Sequence, residues 1–253
     1  MDIRVLGCHG GELPNFRPTS FLINKHLVLD AGSITGVLGL KEQLGINHIV
    51  VTHAHVDHSR DLMFLADNII GANGRGFILY SIPEVLKDIK KHFFNWRIWP
   101  DLTALPDYKK PVIKLKAIKN GQTARISKLK ITLCKVNHTV PTAGVIIDDG
   151  NDSVVFSADT APTAKLWSLA AKKRNLKGIF IECSYPEEKN KLASISKHLT
   201  PSLLGKEIKK IGRDVMVYVY HIKPQFYNQI TKELKQQNIP NMKILKLDEV
   251  IHI

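Results

Sequence analysis

The chain has little that would staple, anchor or repeat it. Its 253 residues include only three cysteines, Cys8, Cys134 and Cys183, far apart and without a CxxC pair. That spacing excludes a disulfide framework and a structural zinc knuckle, and predicts three buried apolar thiols. Apolar runs such as 49–51, 178–181 and 215–220 fall far short of the roughly 18 residues a membrane span requires. No basic-then-apolar leader precedes the strand-like DIRVLG at 2–7, so a cytoplasmic protein without membrane contact is expected. No internal repeat, low-complexity tract or linker divides the chain, and residues 1–253 read as one domain.

Acidic residues are also scarce, 23 against 36 lysines and arginines, for a formal charge of +13. Such a balance draws an anionic substrate or a nucleic acid from a distance without choosing between them. The lysines sit in helical stretches at 87–91, 171–177 and 206–210 with few aromatic residues interleaved, the pattern of solvated helix faces.

With 44% hydrophobic residues the chain can bury a sizeable core. Strand patterns at 2–7, 19–23 and 26–30 precede a helix at 36–44, a strand at 48–52, a helix at 59–67, a strand at 77–80 and a helix at 82–92. Strands at 111–117, 129–136, 143–149 and 152–157 follow. Then come helix 162–173, strand 178–182, helix 201–211, strand 215–220, helix 224–237 and strand 243–247. Two β-rich units flanked by helices predict an α/β four-layer αββα sandwich, its sheets face to face and its polar ligands on loops at one edge.

The strongest local signal is Thr52-His53-Ala54-His55-Val56-Asp57-His58, directly after the apolar strand HIVV. Four potential metal ligands in six residues have no use in a core. If the segment leaves its strand as a turn, His53 and His55 point to one side while Asp57 and His58 reach to another, which would serve two metal ions about 3.5–4 Å apart. Further ligands should also follow apolar strands, because strand ends aim side chains at a shared edge. Three do: His138 after ITLCKVN, Asp159 after SVVFSA and His221 after VMVYVY. An aspartate between two sites can bridge both metals with its two oxygens. Imidazole-rich donors make zinc the default, and manganese or iron fits where carboxylates contribute.

The order HxHxDH, then His, Asp and His, each at a strand end, resembles the metallo-β-lactamase superfamily of binuclear hydrolases over essentially the whole chain. The resemblance implies that His53, His55 and His138 hold one metal and Asp57, His58 and His221 the other, with Asp159 bridging. Histidine stands where many true β-lactamases carry cysteine, which implies the phosphodiesterase and nuclease branches. Segments 180–186 and 197–201, the run 158–167, and 6–11 with 19–23 and 29–32 are similar to class II cyclic-nucleotide phosphodiesterases. The chain departs from that family in having Ala158 and Ala161 where glycines are usual, and Val56 where leucine is commoner.

In the related transfer-RNA 3′-processing nucleases a glutamate orients a histidine, and Glu182 and His198 are the matching residues. The implied catalytic group is His198 as general acid, Glu182 as its partner and Asp57 orienting the attacking hydroxide. The implied reaction is hydrolysis of a small anionic phosphodiester, a 3′,5′-cyclic nucleotide, to its 5′-monophosphate. An RNase Z-like nuclease acting on transfer RNA or other RNA 3′ ends is the alternative, without the inserted Gly- and Lys-rich arm such nucleases use. A hydrolase of another small ester or lactam is a third reading. A binding module that had lost catalysis would lack ligands, and none is lacking. The aromatic segment 93–100 suits a lid or base-stacking wall, and equally a hydrophobic plug or a homodimer contact. His9 and Asn15, in the glycine-rich N-terminal loop, are candidates to approach the site.

Overall fold

Strands buried on both faces read as continuous apolar runs, and the computed structural model, which describes residues 1–253, shows why this chain has so many. Its first half comprises β1 (Asp2–Gly7), β2 (Ser20–Ile23), β3 (Leu27–Leu29), α1 (Leu40–Gln43) and β4 (His48–Val50). These continue into α2 (Val56–Ser59), α3 (Asp61–Gly71), β5 (Phe77–Ser81), α4 (Pro83–His92) and β6 (Ile113–Ala117). Strands β1, β2 and β3 are antiparallel, joined at β2–β3 by the three residues Asn24, Lys25 and His26, the first two at positive φ. Strands β3 to β6 run parallel, and the helices between them are the crossovers that parallel pairing requires.

The second half comprises β7 (Thr123–Ile126), β8 (Leu129–Lys135), β9 (Ala143–Asp148), β10 (Ser153–Phe156), α5 (Lys165–Ala171) and β11 (Leu176–Glu182). Helices α6 (Asn190–Ser196) and α7 (Pro201–Lys209), strand β12 (Met216–Tyr220), helix α8 (Tyr227–Gln236) and strand β13 (Met242–Ile244) follow. A last strand, β14 (Val250–His252), returns to pair with β1. The sheets have orders β14-β1-β2-β3-β4-β5-β6 and β13-β12-β11-β10-β9-β8-β7, seven strands each. Phe21 of β2 meets Phe156, Phe180 and Tyr220 of the other sheet at ring-centroid distances of 5.2, 5.9 and 5.5 Å. On β12, Tyr218 and Tyr220 face that inner core, while Val217 and Val219 pack beneath helices that supply Leu204, Ile230 and Leu234. The expected αββα layers are present, all three cysteines are buried and free, and no helix is long and apolar enough to cross a membrane.

The differences from expectation have local causes. The helix expected over 36–44 is confined to Leu40–Gln43, because buried Asp61 accepts the amides of Ile34 and Thr35 at 2.5 and 2.7 Å and pins the preceding loop outside a helix. The helix expected over 59–67 is two pieces, α2 and α3, and runs to residue 71. Helix 162–173 narrows to α5, and strand 243–247 to β13. Strands β7 and β14 and helix α6 were not anticipated. Each is short, and β14 is stabilised only by a partner some 250 residues away in sequence, pairing His252 with Asp2. The C-terminal ends of β3, β4, β10, β11 and β12 open onto one edge, where ligands gather in parallel α/β sheets.

Candidate metal centre

The loop after β4 begins with an anchor. Thr52 donates its amide to Asp30 Oδ1 at 2.7 Å and its hydroxyl to Asp30 Oδ2 at 3.0 Å, tying this loop to the end of β3. The chain stays extended through His55, with φ −60° and ψ 146°, and then turns into α2. His53 and His55 therefore leave from extended backbone, whereas Asp57 and His58 leave from a helical turn that faces the same space.

His53 Nε2 lies 3.1 Å from His55 Nδ1, and His138 Nε2 lies 3.4 Å from that same Nδ1. Asp159 Oδ2 sits 3.6 Å from His53 Nε2, 3.4 Å from His58 Nε2 and 3.1 Å from His221 Nε2. Asp57 Oδ2 completes a second cluster, 3.9 Å from His58 Nε2 and 3.7 Å from His221 Nε2. His53, His55, His138 and Asp159 thus converge as one group and Asp57, His58 and His221 as another. Two buried atoms here, His58 Nε2 and Asp159 Oδ1, have no hydrogen-bond partner. Buried polar atoms are nearly always paired, so converging and unpaired imidazole and carboxylate donors fit a divalent cation.

The electrostatics agree. Burial pulls the His58 imidazole down, but Asp159, Asp30 and Asp57 carry it well above its ordinary value. His53 is equally buried and sits beside His58, and both effects hold it well below. Burial also pushes His138 down to about 4. For Asp159 burial raises the carboxyl, and the His221 and His58 charges more than reverse that, leaving it well below the usual range. A proton on His58 thus occupies the electrostatic place that a cation would take, since metal binding displaces protons from its ligands.

The orientation of these rings is held from behind. His58 Nδ1 donates to Asp30 Oδ2 at 2.7 Å, and His138 Nδ1 to the Lys197 carbonyl at 3.1 Å. With Nε2 turned inward, His53 Nδ1 donates to Thr52 Oγ1 at 2.9 Å and His221 Nδ1 to Thr19 Oγ1 at 2.8 Å. Asp30, Ala158 and His221 all sit at strand ends with φ between 55° and 62°, a left-handed backbone that costs a non-glycine residue about 1–2 kcal/mol. Ala158, beside Asp159, therefore carries a cost that glycine would not.

Beyond the cluster, His198 Nδ1 donates to Glu182 Oε1 at 2.8 Å. Ser184 Oγ lies 3.1 Å from that nitrogen and donates to Glu182 Oε2 at 2.8 Å, while the Thr160 amide donates to Oε1 at 3.0 Å. With Nδ1 engaged, His198 turns Nε2 toward the cluster, where it groups with Asp159 and His221. The arrangement resembles a held acid beside a cation site.

Residues 36–222 match the family described as Beta-lactamase superfamily domain. The chain belongs to that superfamily. A Yersinia pestis protein named “Probable 3′,5′-cyclic-nucleotide phosphodiesterase” is 25% identical to it over 98% of this chain and 87% of that protein. The crystal structure of unliganded yeast PDE1 superposes with a TM-score of 0.84 at 19% identity, covering 100% of this chain and 99% of that one. The structure of the short form of human tRNase Z gives 0.71 at 13% identity, covering 100% and 99%.

In this superfamily member all seven residues read as ligands, together with Glu182 and His198, come to one edge. Asp30, Thr52, Thr19, Ser184 and Lys197, which hold them, were not read from the sequence as supports. The only available signal was that Asp30 and Thr52, like the ligands, follow apolar strands. Replacing Thr19 by Val, which removes one hydroxyl at nearly constant shape, is expected to weaken metal affinity about 10–100-fold, read by titration against a competing chelator. Unchanged affinity would show that His221 needs no such support.

Three other expectations resolve differently. The backbone of the N-terminal loop reaches the site, since the His221 amide donates to the Cys8 carbonyl at 2.6 Å, but the His9 ring turns to Phe16 and Tyr227. Asn15 lines the hollow on that side with them. It is Gly10 that touches the ligand, because a Cβ there would lie 2.6 Å from the His221 carbonyl oxygen and 2.9 Å from its Cδ2. Gly10→Ala should therefore displace His221 and lower both metal content and thermal midpoint. In the aromatic segment, Phe94 is core and Trp99 packs edge-on against Phe64 at 5.4 Å, which is the plug reading, while Trp96 is exposed.

Proposed function

We propose that this chain is a binuclear metal-dependent phosphodiesterase, a single catalytic domain over 1–253 that hydrolyses 3′,5′-cyclic nucleotides to 5′-monophosphates. The observation that carries the reading is the Glu182–His198 pair, with Ser184 bracing both, placed against two groups of candidate ligands with Asp159 in reach of each. The Yersinia pestis relative named for this activity supports it over nearly the whole chain.

His53, His55 and His138 would hold one cation and Asp57, His58 and His221 the other, with Asp159 between them. When bound, two divalent cations, zinc by donor type with manganese or iron as alternatives, supply Lewis acidity toward phosphoryl oxygens and lower the pKa of water toward about 7. Asp57, partly exposed at the rim, accepts a hydrogen bond from the attacking water and orients it. His198 Nε2 gives its proton to the departing O3′ of the sugar, and Glu182 fixes the ring so that this nitrogen faces the leaving group.

A nuclease acting on RNA 3′ ends would use the same groups, and the charge of +13 favours it as the second reading. Metal analysis of the purified protein followed by a hydrolysis panel separates the two: cyclic AMP, cyclic GMP, 2′,3′-cyclic nucleotides, an aryl phosphodiester, a β-lactam and a precursor transfer RNA. Turnover of 3′,5′-cyclic nucleotides above all others is expected. Cleavage of the precursor RNA alone would establish the nuclease, and no turnover of any phosphodiester would overturn both.

A further inference from the structure

Beside the Asp57 edge of the ligand cluster the surface sinks into a hollow of about 310 Å³, walled by Arg17, Ser33, Arg60, Asp61 and Phe64. Its connection to the centre is direct. Gly32 packs so tightly against the Asp57 carbonyl oxygen that a Cβ there would collide with it, Arg60 Nε donates to the Gly32 carbonyl at 2.9 Å, and Ser33 follows. The Gly32 amide in turn donates to the carbonyl of Thr19, whose hydroxyl holds His221.

Two polar atoms of this wall lack partners. Ser33 is only 3% exposed and its hydroxyl makes no hydrogen bond, and Arg17 Nε is buried and equally unpaired. The charges around them are already matched. Arg17 is paired with Asp248 and Arg60 with Glu12, and the Asp61 carboxylate accepts from Ile34 and Thr35. A second anion would find no free positive charge here. What the hollow offers is unmatched hydrogen-bonding capacity beside the ring of Phe64, which is 50% exposed.

We propose that this hollow is the base-recognition subsite of the centre, and that it takes a purine, guanine before adenine. The inference rests on the cyclic-nucleotide reading above. The unpaired donor Arg17 Nε matches the O6 acceptor of guanine, a hydroxyl serves either base, and an exposed aromatic face accepts stacking. Adenine presents a donor where guanine presents O6, so an arginine discriminates between them. Arg17 and Ser33 are thus specificity residues, remote from the proton transfer at His198.

The test measures binding of 5′-GMP, 5′-AMP and ribose 5-phosphate to the metal-loaded protein by calorimetry, and KM and kcat for cyclic GMP, cyclic AMP and an aryl phosphodiester. The wild-type protein should bind 5′-GMP at least tenfold more tightly than ribose 5-phosphate. Ser33→Ala, a substitution too small to threaten the fold, should remove roughly a factor of ten from that margin and raise KM for cyclic GMP, with kcat and the aryl ester untouched. Arg17→Gln should erase the preference for guanine over adenine. Equal binding of 5′-GMP and ribose 5-phosphate, or an equal loss on all three ligands in Ser33→Ala, would overturn the subsite. If cyclic nucleotides are hydrolysed with KM indifferent to both variants, the subsite fails and the reaction stands. If the Ser33-dependent margin for 5′-GMP is present without cyclic-nucleotide turnover, the subsite stands and the reaction fails.

Discussion

Asp159→Ala is expected to yield a folded protein that holds less than one equivalent of metal and hydrolyses no phosphodiester above background. Asp159 is 1% exposed, and its Oδ2 is within 3.1–3.6 Å of the Nε2 atoms of His53, His58 and His221, so its carboxylate reaches residues of both groups. Removing it leaves the first group three imidazoles and the second two imidazoles and one carboxylate, with no negative charge shared at the centre. Dication affinity for neutral imidazoles without that carboxylate falls steeply. His58 also loses the charge that does most to raise its pKa against burial. Metal content by elemental analysis after dialysis, alongside circular dichroism, checks the result. Two equivalents retained by the folded variant would remove Asp159 from the bridging role.

The ligands and their supports were not equally legible. His53, His55, Asp57 and His58 could be read because four ligand types in six residues after an apolar strand have no packing use. His138, Asp159 and His221 could be read because the strands before them are apolar, and parallel strands bring their ends together. Asp30 and Thr52 touch His58 and His53 directly from behind, yet a short polar residue after a strand is what any turn contains. Their meaning depends on β3 lying beside β4, where Leu29 is paired with Val50, a register the local sequence does not encode. Ser184 was hidden in the same way between Glu182 and a distant His198. The four layers followed from the alternation of apolar strands and helices. Strand β7 did not show, because half of its four residues face solvent and it exists only as the edge partner of β8. The direction of His9 was set by Gly10, whose missing side chain lets the loop lie against His221.

His198→Ala should lower kcat by about 10²–10⁴ with metal content unchanged, the loss ordinarily found when a general acid is removed from an alkoxide-expelling step. The pH profile distinguishes this role from a structural one. Burial pulls the His198 imidazole down, but the Glu182 carboxylate, by charge and by hydrogen bond, and Asp159 by charge, carry it above its ordinary value. A general acid must be protonated, so kcat should hold through neutral pH and fall as pH rises through that elevated value. The same pair adds stability that is complete below the ordinary histidine pKa of about 6.5 and is lost across the same rise. Cations bound in the neighbouring cluster would pull the imidazole the other way and make the Glu182 charge more necessary. Glu182→Gln keeps the side-chain shape and removes the charge. It should move the alkaline limb of the kcat profile to lower pH and reduce its plateau, with full metal content. An aryl phosphodiester whose leaving group needs no proton supplies the control: both variants should spare it relative to cyclic nucleotides. If the two substrates suffer equally, or if the alkaline limb stays in place in Glu182→Gln, the proton reaches O3′ from some other group and His198 serves only to pack beside His221, whose ring it stacks on at 5.7 Å.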